Sequence, residues 1–164
     1  MKMKKPILLL ACVLAVQISK AQLKSTPFCP AFTVDVLDGS VNKLYPESPY
    51  QEIKNKLPCY TNSIDEPSAT GCAGVFFKDK GIDFYTYRDY IEISMDFKGK
   101  LTLPILGADR GSLFKWLGLP KAKDNGWEAY QMQHGIIVVY FDAIGKVNKM
   151  QISSRTPETM RVCE

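Results

Sequence analysis

The stretch GWEAYQMQHGIIVVYFDAIGKVNKMQI, residues 126–152, constrains the fold more than any other part of the chain. Its apolar, β-branched and aromatic residues come in short runs separated by turn signals around His134-Gly135 and Gly145-Lys146, so it reads as consecutive strands with tight connections. Strands joined this closely lie antiparallel and side by side, and a sheet with an apolar face needs other elements packed on it.

The remaining segments supply those elements. FTVDVLDGSVNKL places Phe32, Val34 and Val36 on one face and then reaches Asp38-Gly39, a dipeptide suited to a type I′ hairpin. SPYQEIKNKLP predicts a short helix with Ser48 as its cap, Pro49 in its first position and Gln51 three residues after the cap. Tyr50, Ile53 and Leu57 fall on one side of it, and Pro58 lies just beyond its end. GVFFKDKGIDFYTYRDYIEISMDFKGKLTLPIL, broken at residues 78–81 and 98–100, predicts three strands of a meander. GADRGSLFKWLGLP predicts a second short helix, capped by Asp109, with Leu113, Trp116 and Leu117 at helical spacing and Gly118 as its stop. SSRTPETMRVCE reads as a polar turn and a last short strand carrying Cys163. The expected fold class is α+β, with short helices packed on an antiparallel sheet.

Two halves of the chain share a pattern. Each has a short helix ending in Leu-Pro, then a glycine, an aromatic-containing strand, an apolar strand and a Gly-Lys turn, with Gly81 matching Gly126 and Gly99 matching Gly145. This suggests a tandem αβ repeat, residues 48–103 and 107–152, whose units are each too small to bury an apolar face and so share one core.

The start of the chain carries an address. Lys2, Lys4 and Lys5 precede the apolar run PILLLACVLAV, and the small-residue ending SKA comes before Gln22, so residues 1–21 read as a secretory signal peptide cleaved after Ala21. The apolar run is too short to span a membrane. An alternative takes LLAC, residues 9–12, as a lipoprotein site at Cys12, but the apolar run continues past that cysteine, which favours cleavage after Ala21. Cleavage there removes four lysines and no acid, turning 21 basic and 17 acidic residues into 17 of each. A neutral mature protein, residues 22–164 as one exported domain, gives no reason to expect nucleic acid or an anionic membrane surface as its partner.

Four cysteines remain after the leader, Cys29, Cys59, Cys72 and Cys163, and an even count in an exported chain suggests two disulfides. Cys59–Cys72, closing a short loop, and Cys29–Cys163, joining the ends of the domain, are the favoured pairings among the three that exist. None of these cysteines lies in a C-x-x-C pair and His134 is the single histidine, so neither a metal site nor a cofactor is expected.

SLFKWLGLP followed by GWEAYQMQHGIIVVYFDAIGKVNKMQI resembles the repeat of β-lactamase inhibitory proteins and the related outer-membrane assembly lipoproteins. The shared features are a helix ending Leu-Gly-x-Pro, a Trp-x-x-Tyr strand, an apolar strand with Phe, and Gly-Lys-Val before a last strand. The likeness covers residues 107–152 well and 48–103 loosely. It implies a binding scaffold of the export compartment whose open sheet face grips another protein, with no catalytic residue to carry over.

Catalytic chemistry finds little purchase in the sequence. His134 falls in a turn and reads as exposed, the paired cysteines leave no thiol for a cysteine nucleophile, and GADRGS is not a nucleophile elbow. Hydrolysis by two carboxylates would need them to converge at about 5–10 Å, and Asp65 with Glu66, Asp83 with Asp89, and Glu92 with Asp96 lie in a loop or on strands whose alternate residues face opposite ways.

The sharpest positive signal is IDFYTYRDY. Read as a continuous strand, it puts Phe84, Thr86, Arg88 and Tyr90 on one side and Tyr85, Tyr87, Asp89 and Ile91 on the other. Tyrosine and arginine dominate binding hot spots, so Tyr85, Tyr87, Arg88 and Tyr90, continued by Trp127 and Tyr130, are the candidate partner-binding residues. The expectation is a non-enzymatic protein that binds another extracytoplasmic protein, as an inhibitor or immunity protein. An envelope assembly factor and a small cell-wall hydrolase are the alternatives.

Overall fold

The computed structural model describes residues 28–66 and 72–163, so the expected leader lies outside the described residues. The strands are β1 (Thr33–Asp35), β2 (Ser40–Val41), β3 (Asn62–Ile64), β4 (Gly74–Phe77), β5 (Ile82–Tyr85), β6 (Tyr90–Ser94), β7 (Lys100–Leu101), β8 (Ala122–Lys123), β9 (Trp127–Met132), β10 (Gly135–Phe141) and β11 (Val147–Ser153). Two short helices, α1 (Tyr50–Lys56) and α2 (Phe114–Leu117), join them, so the fold is α+β with the sheets dominant.

Eight strands form an antiparallel sheet in the order β3-β4-β5-β6-β11-β10-β9-β8. It consists of two meanders, β3 to β6 and β8 to β11, that meet at their last strands, with Ile91 opposite Ile152 and Ile93 opposite Met150. A short helix precedes each meander. The offset that aligns Gly81 with Gly126 would equate β7 with β11, yet β7 leaves the large sheet and pairs in parallel with β1 in a small sheet of order β2-β1-β7. That offset therefore does not carry equivalent strands onto one another.

The inner face of the large sheet presents Val75, Phe77, Ile82, Phe84, Ile91, Ile93, Ile137, Val139, Met150 and Ile152. These pack in one cluster with Phe32, Val34, Val36 and Val41 of the small sheet region, Ile53 of α1, Leu57 just beyond its end, and Leu113. The alternation of Phe32, Val34 and Val36 and the helical spacing of Ile53 and Leu57 thus do what the sequence implies, and Tyr50 is half-buried beside them. β10 starts at Gly135, where φ is +100° and a Cβ would lie 2.1 Å from the Ser153 carbonyl oxygen, so only glycine lets β10 approach β11 this closely.

Several local expectations are corrected. Asp38-Gly39 does not form a two-residue type I′ turn: the Gly39 N–H donates to the Asp35 carbonyl at 2.9 Å, and Asp38 is not among the residues with positive φ. The mirror-image turn falls instead at Asn42 and Lys43, with φ of 49° and 61°, between the reciprocal Val41 and Leu44 hydrogen bonds. Ser48 does not cap α1, because its hydroxyl accepts the Tyr45 N–H at 2.9 Å within the preceding turn, and the helix starts from the Pro49 carbonyl. Residues 86–89 are a turn inside what reads as one strand, with Asp89 in the left-handed region at φ 51°. The last strand expected around Cys163 is absent, since residues 154–163 carry none.

The disulfides join Cys29 to Cys59 and Cys72 to Cys163, rather than Cys59 to Cys72 and Cys29 to Cys163. The β3–β4 register gives the reason. Asn62 lies opposite Phe76 and Ile64 opposite Gly74, so Cys59 and Cys72 approach this hairpin at opposite ends and cannot close a loop. Disulfides persist in oxidising compartments, which agrees with a protein held outside the cytoplasm. Among the described residues no helix is long and apolar enough to cross a membrane.

Candidate interaction face

Period-two alternation sends the other half of each strand to the outer face of the large sheet. In register order, one row across it reads Tyr85, Tyr90, Ser153, Ile136 and Gln131, and the next reads Phe76, Asp83, Glu92, Gln151, Val138 and Ala129. Trp127 and Tyr140 lie opposite one another at one end.

Residues 154–163 leave β11 and cross this face as a tail. Its start is pinned where the Arg155 guanidinium donates through Nε to Asp89 Oδ2 at 2.9 Å, and where Ser153 Oγ donates to the Asp89 carbonyl. A turn at 156–160 follows, in which the Thr159 and Met160 N–H groups both donate to the Thr156 carbonyl. Met160 then packs on Ala129, Ile136 and Val138, next to Trp127 and Tyr140. At the far end the Cys163 N–H donates to the Tyr90 hydroxyl at 2.9 Å, and Cys163 is bonded to Cys72 at the entry to β4. The tail bridges the face without filling it, leaving a cavity of about 160 Å³ lined by Trp127, Val138, Tyr140, Pro157, Met160 and Val162.

The sequence-derived binding residues divide three ways. Tyr85, Tyr87, Arg88 and Tyr90 do come together, but through the 86–89 turn, which returns Tyr90 to the same face as Tyr85 so that their rings stack at 4.4 Å. Tyr90 is fully buried and Tyr85 half-buried, and burial pushes the Tyr85 hydroxyl up to about 12. Tyr87, 48% exposed, and Arg88 stand on the turn itself. Trp127 shares the outer face from β9, half-buried.

Tyr130 is on the inner face, 2% exposed. Its hydroxyl donates to Glu128, whose other oxygen takes the Arg110 Nε at 2.8 Å, while Arg110 also donates to the carbonyls of Asp124 and Asn125. That network holds α2's lead-in turn against β9, so Tyr130 is a structural residue. Tyr140, Arg155, Met160 and Arg161 belong to the face and were missed. Their only advance signal was that β11 is followed by a cysteine ten residues on.

The groups with chemical potential elsewhere are engaged with one another. His134 Nδ1 lies 3.0 Å from Asp38 Oδ1, and Asp38 also accepts the Ser40 hydroxyl at 2.6 Å and the Tyr45 hydroxyl at 3.1 Å. The Ser40 hydroxyl and the other partners hold the Asp38 carboxyl below the usual carboxylate range. Here the carboxylate sits between serine and histidine, whereas nucleophilic activation needs the histidine between them. Asp83 and Glu92 face each other across β5 and β6, a pairing different from those the sequence proposes. Asp83 takes the Phe77 N–H and Lys78, and Glu92 takes Gln151 at 2.7 Å and Lys149 at 3.4 Å, beside a cavity of about 200 Å³. Asp89 is paired with Arg155, and Asp65, Glu66 and Asp96 are exposed. Among the described residues no group of three His, Cys, Asp or Glu is placed to hold a metal ion.

No family model, curated protein or solved structure matches the chain.

Proposed function

We propose that the chain is an exported, non-enzymatic protein-binding domain, and that its binding surface is the outer face of the large sheet together with the β5–β6 turn. The observation that carries this reading is the aromatic and arginine-bearing surface at that turn: Tyr87 is 48% exposed beside Arg88, on a hairpin held rigid by the Tyr85–Tyr90 stack and the Asp89–Arg155 pair. A tyrosine on a fixed scaffold loses little conformational freedom on binding, and an arginine makes several hydrogen bonds for the freedom it loses, which is what makes such residues effective anchors. Trp127 and Tyr140 extend the surface across the sheet.

Within this class the reading is an inhibitor or immunity protein directed at an enzyme outside the cytoplasm. Two disulfides suit the compartment, and a rigid aromatic face suits occlusion of another protein's surface. The two helix-preceded meanders are compatible with the helix-and-sheet unit of β-lactamase inhibitory proteins that residues 107–152 resemble. An envelope assembly factor would use the same face with a different partner.

The test is a photo-crosslinking amino acid placed at Tyr87 in the oxidised protein, with Ile144, 77% exposed on the β10–β11 turn, as the control position. One extracytoplasmic enzyme linked from Tyr87 and not from Ile144, and losing activity when the protein is added, is the expected result. Equal labelling from both positions, or from neither, sinks the reading.

A further inference from the structure

Among the described residues, no hydrogen bond or ion pair joins residues 156–162 of the tail to the large sheet, and what holds them there is Met160 on its apolar seat. We propose that the tail is a tethered strap, closed over an apolar part of the binding surface when the protein is alone and lifted when an apolar side chain of the partner takes the place of Met160. The proposal rests on the protein-binding reading above.

Attachment gives the first argument. At the near end Asp89 holds the Arg155 guanidinium, beside a pocket of about 460 Å³ that the tail encloses with the β5–β6 turn. At the far end Cys163 is bonded to Cys72, and its N–H donates to the Tyr90 hydroxyl. Between these anchors the chain is folded back on itself: the Thr159 and Met160 N–H groups both donate to the Thr156 carbonyl, and the two threonine hydroxyls meet at 3.1 Å. Opening that one turn gives slack, because an extended chain advances about 3.3–3.6 Å per residue. Residues 156–162 can then lift with both anchors intact. Of these residues only Pro157 and Met160 are half-buried and the rest are exposed, and segments with so few buried contacts are the first to open in a folded protein.

The surface beneath gives the second. Ala129, Ile136 and Val138 are buried in an apolar cluster apart from the main core, flanked by Trp127 and Tyr140. Lifting one methionine turns this cluster into an open apolar patch with aromatic edges, the composition of an interface centre. Met160 does not fill its seat. The cavity of about 160 Å³ beside it has no charged lining residue and is comparable to an engineered apolar cavity that takes up benzene. A ring or a branched apolar side chain therefore covers the seat and the cavity better than the thioether does.

A ligand shifts a two-state balance only by binding one state better than the other. The partner has that preference, since the lifted state offers it the seat and the closed state withholds it. Because Cys163 stays bonded to Cys72, the lifted strap remains beside the seat and competes with the partner as a neighbour rather than as a free peptide.

Thiol labelling of two variants of the oxidised full chain tests the lifting. Ala129→Cys places a thiol under the strap, and Val139→Cys places one in the inner face. A maleimide should react at the first site at least about a hundredfold faster, because the strap opens alone whereas the inner face is reached only by unfolding. Equal rates overturn the strap. Where Ala129→Cys fails to fold, the unsubstituted chain decides: methyl relaxation dispersion should show exchange at Met160 and none at Met132 and Met150, which are buried on the inner face, and a silent Met160 overturns the strap. The partner cross-linked at Tyr87 then tests what the strap does. Met160→Ala should raise its affinity by about five- to thirtyfold, the factor by which weakening one such contact shifts a two-state balance. Unchanged or weaker binding overturns the strap while protein binding stands, whereas the absence of any cross-linked partner defeats the binding reading and the strap's role with it.

Discussion

On the inner face of the large sheet, Phe84, Ile91, Ile152 and Ile137 run in one row across four adjacent strands, none more than 1% exposed. The matching row on the outer face is Tyr85, Tyr90, Ser153 and Ile136. A second sheet and α1 cover the first row, while the second is covered by the ten residues of the tail. The inner face is held by many apolar contacts spread over several elements, so removing one neighbour leaves the others in place. The outer face is held by a few named attachments: Asp89 to Arg155, Met160 to its apolar seat, and Cys163 to Cys72. Stability therefore resides in one face, and the other is left with aromatic and charged groups partly accessible to a partner.

The sharpest way to break this contrast is to cut into each face in turn. Phe84→Ala, deleting a ring 1% exposed from the inner row, is expected to cost about 3–5 kcal/mol, the range for truncating a buried phenylalanine. Chemical denaturation measures it, and a cost below about 1 kcal/mol, the usual scale of a surface change, would mean that the inner face is not the stabilising one. Cys72→Ser with Cys163→Ser comes next. This crosslink spans 91 residues of sequence, and its loss is expected to cost about 2–4 kcal/mol through the unfolded state. Native-state hydrogen exchange should show residues 154–163 opening first while β4, β5 and β10 keep their protection. Uniform loss of protection would show that the two faces unfold as one unit.

Smaller still is Met160→Ala. A fully buried methionine costs about 2–5 kcal/mol on truncation, but this one is half-buried over a partly empty cavity, so about 1–2 kcal/mol is expected from the area it covers. The informative readout is binding rather than stability. A looser tail should change partner affinity more than Val139→Ala on the inner face does, and the reverse order would contradict the division between the faces.

The inner face was the legible one. Phe32, Val34 and Val36, and Ile53 with Leu57, announce themselves by spacing alone, because burial on one side imposes the period on the sequence. The outer face obeys a weaker rule. The turn at 86–89 has neither glycine nor proline, and Asp89 takes the left-handed conformation that aspartate tolerates better than most residues, so a broken strand reads as a continuous one. That single misreading moves Tyr90 to the opposite face. The pocket beside it was illegible for another reason: Arg155 meets Asp89 across 66 residues, a contact that depends on β6 and β11 being neighbours. The cysteine pairing failed likewise, because the β3–β4 register and not sequence proximity decides which thiols meet.

The smallest effect concerns the rim where the two sheets join. The β1–β2 turn reaches the β9–β10 turn through Asp38 and His134, 3.0 Å apart, and the Gln133 N–H donates to the Leu37 carbonyl at the same place. The Ser40 hydroxyl foremost, then Tyr45 and His134, depress the Asp38 pKa in the folded chain. A depressed acid contributes stability that is present above its unfolded value, about 3.9, and is lost as pH falls through the folded value. Asp38 is half-buried and its His134 partner is largely exposed, so solvent screens part of the interaction and the contribution is small. Asp38→Asn should therefore be slightly less stable than the native chain near neutrality, and the two acid-unfolding curves should converge below about pH 4. A gap that stays constant down to the acid limit would show that the hydrogen bonds of the turn, and not the charge of Asp38, close this edge of the inner face. The rim would then behave like the rest of that face, insensitive to pH, and charge-dependent behaviour would be confined to the outer one.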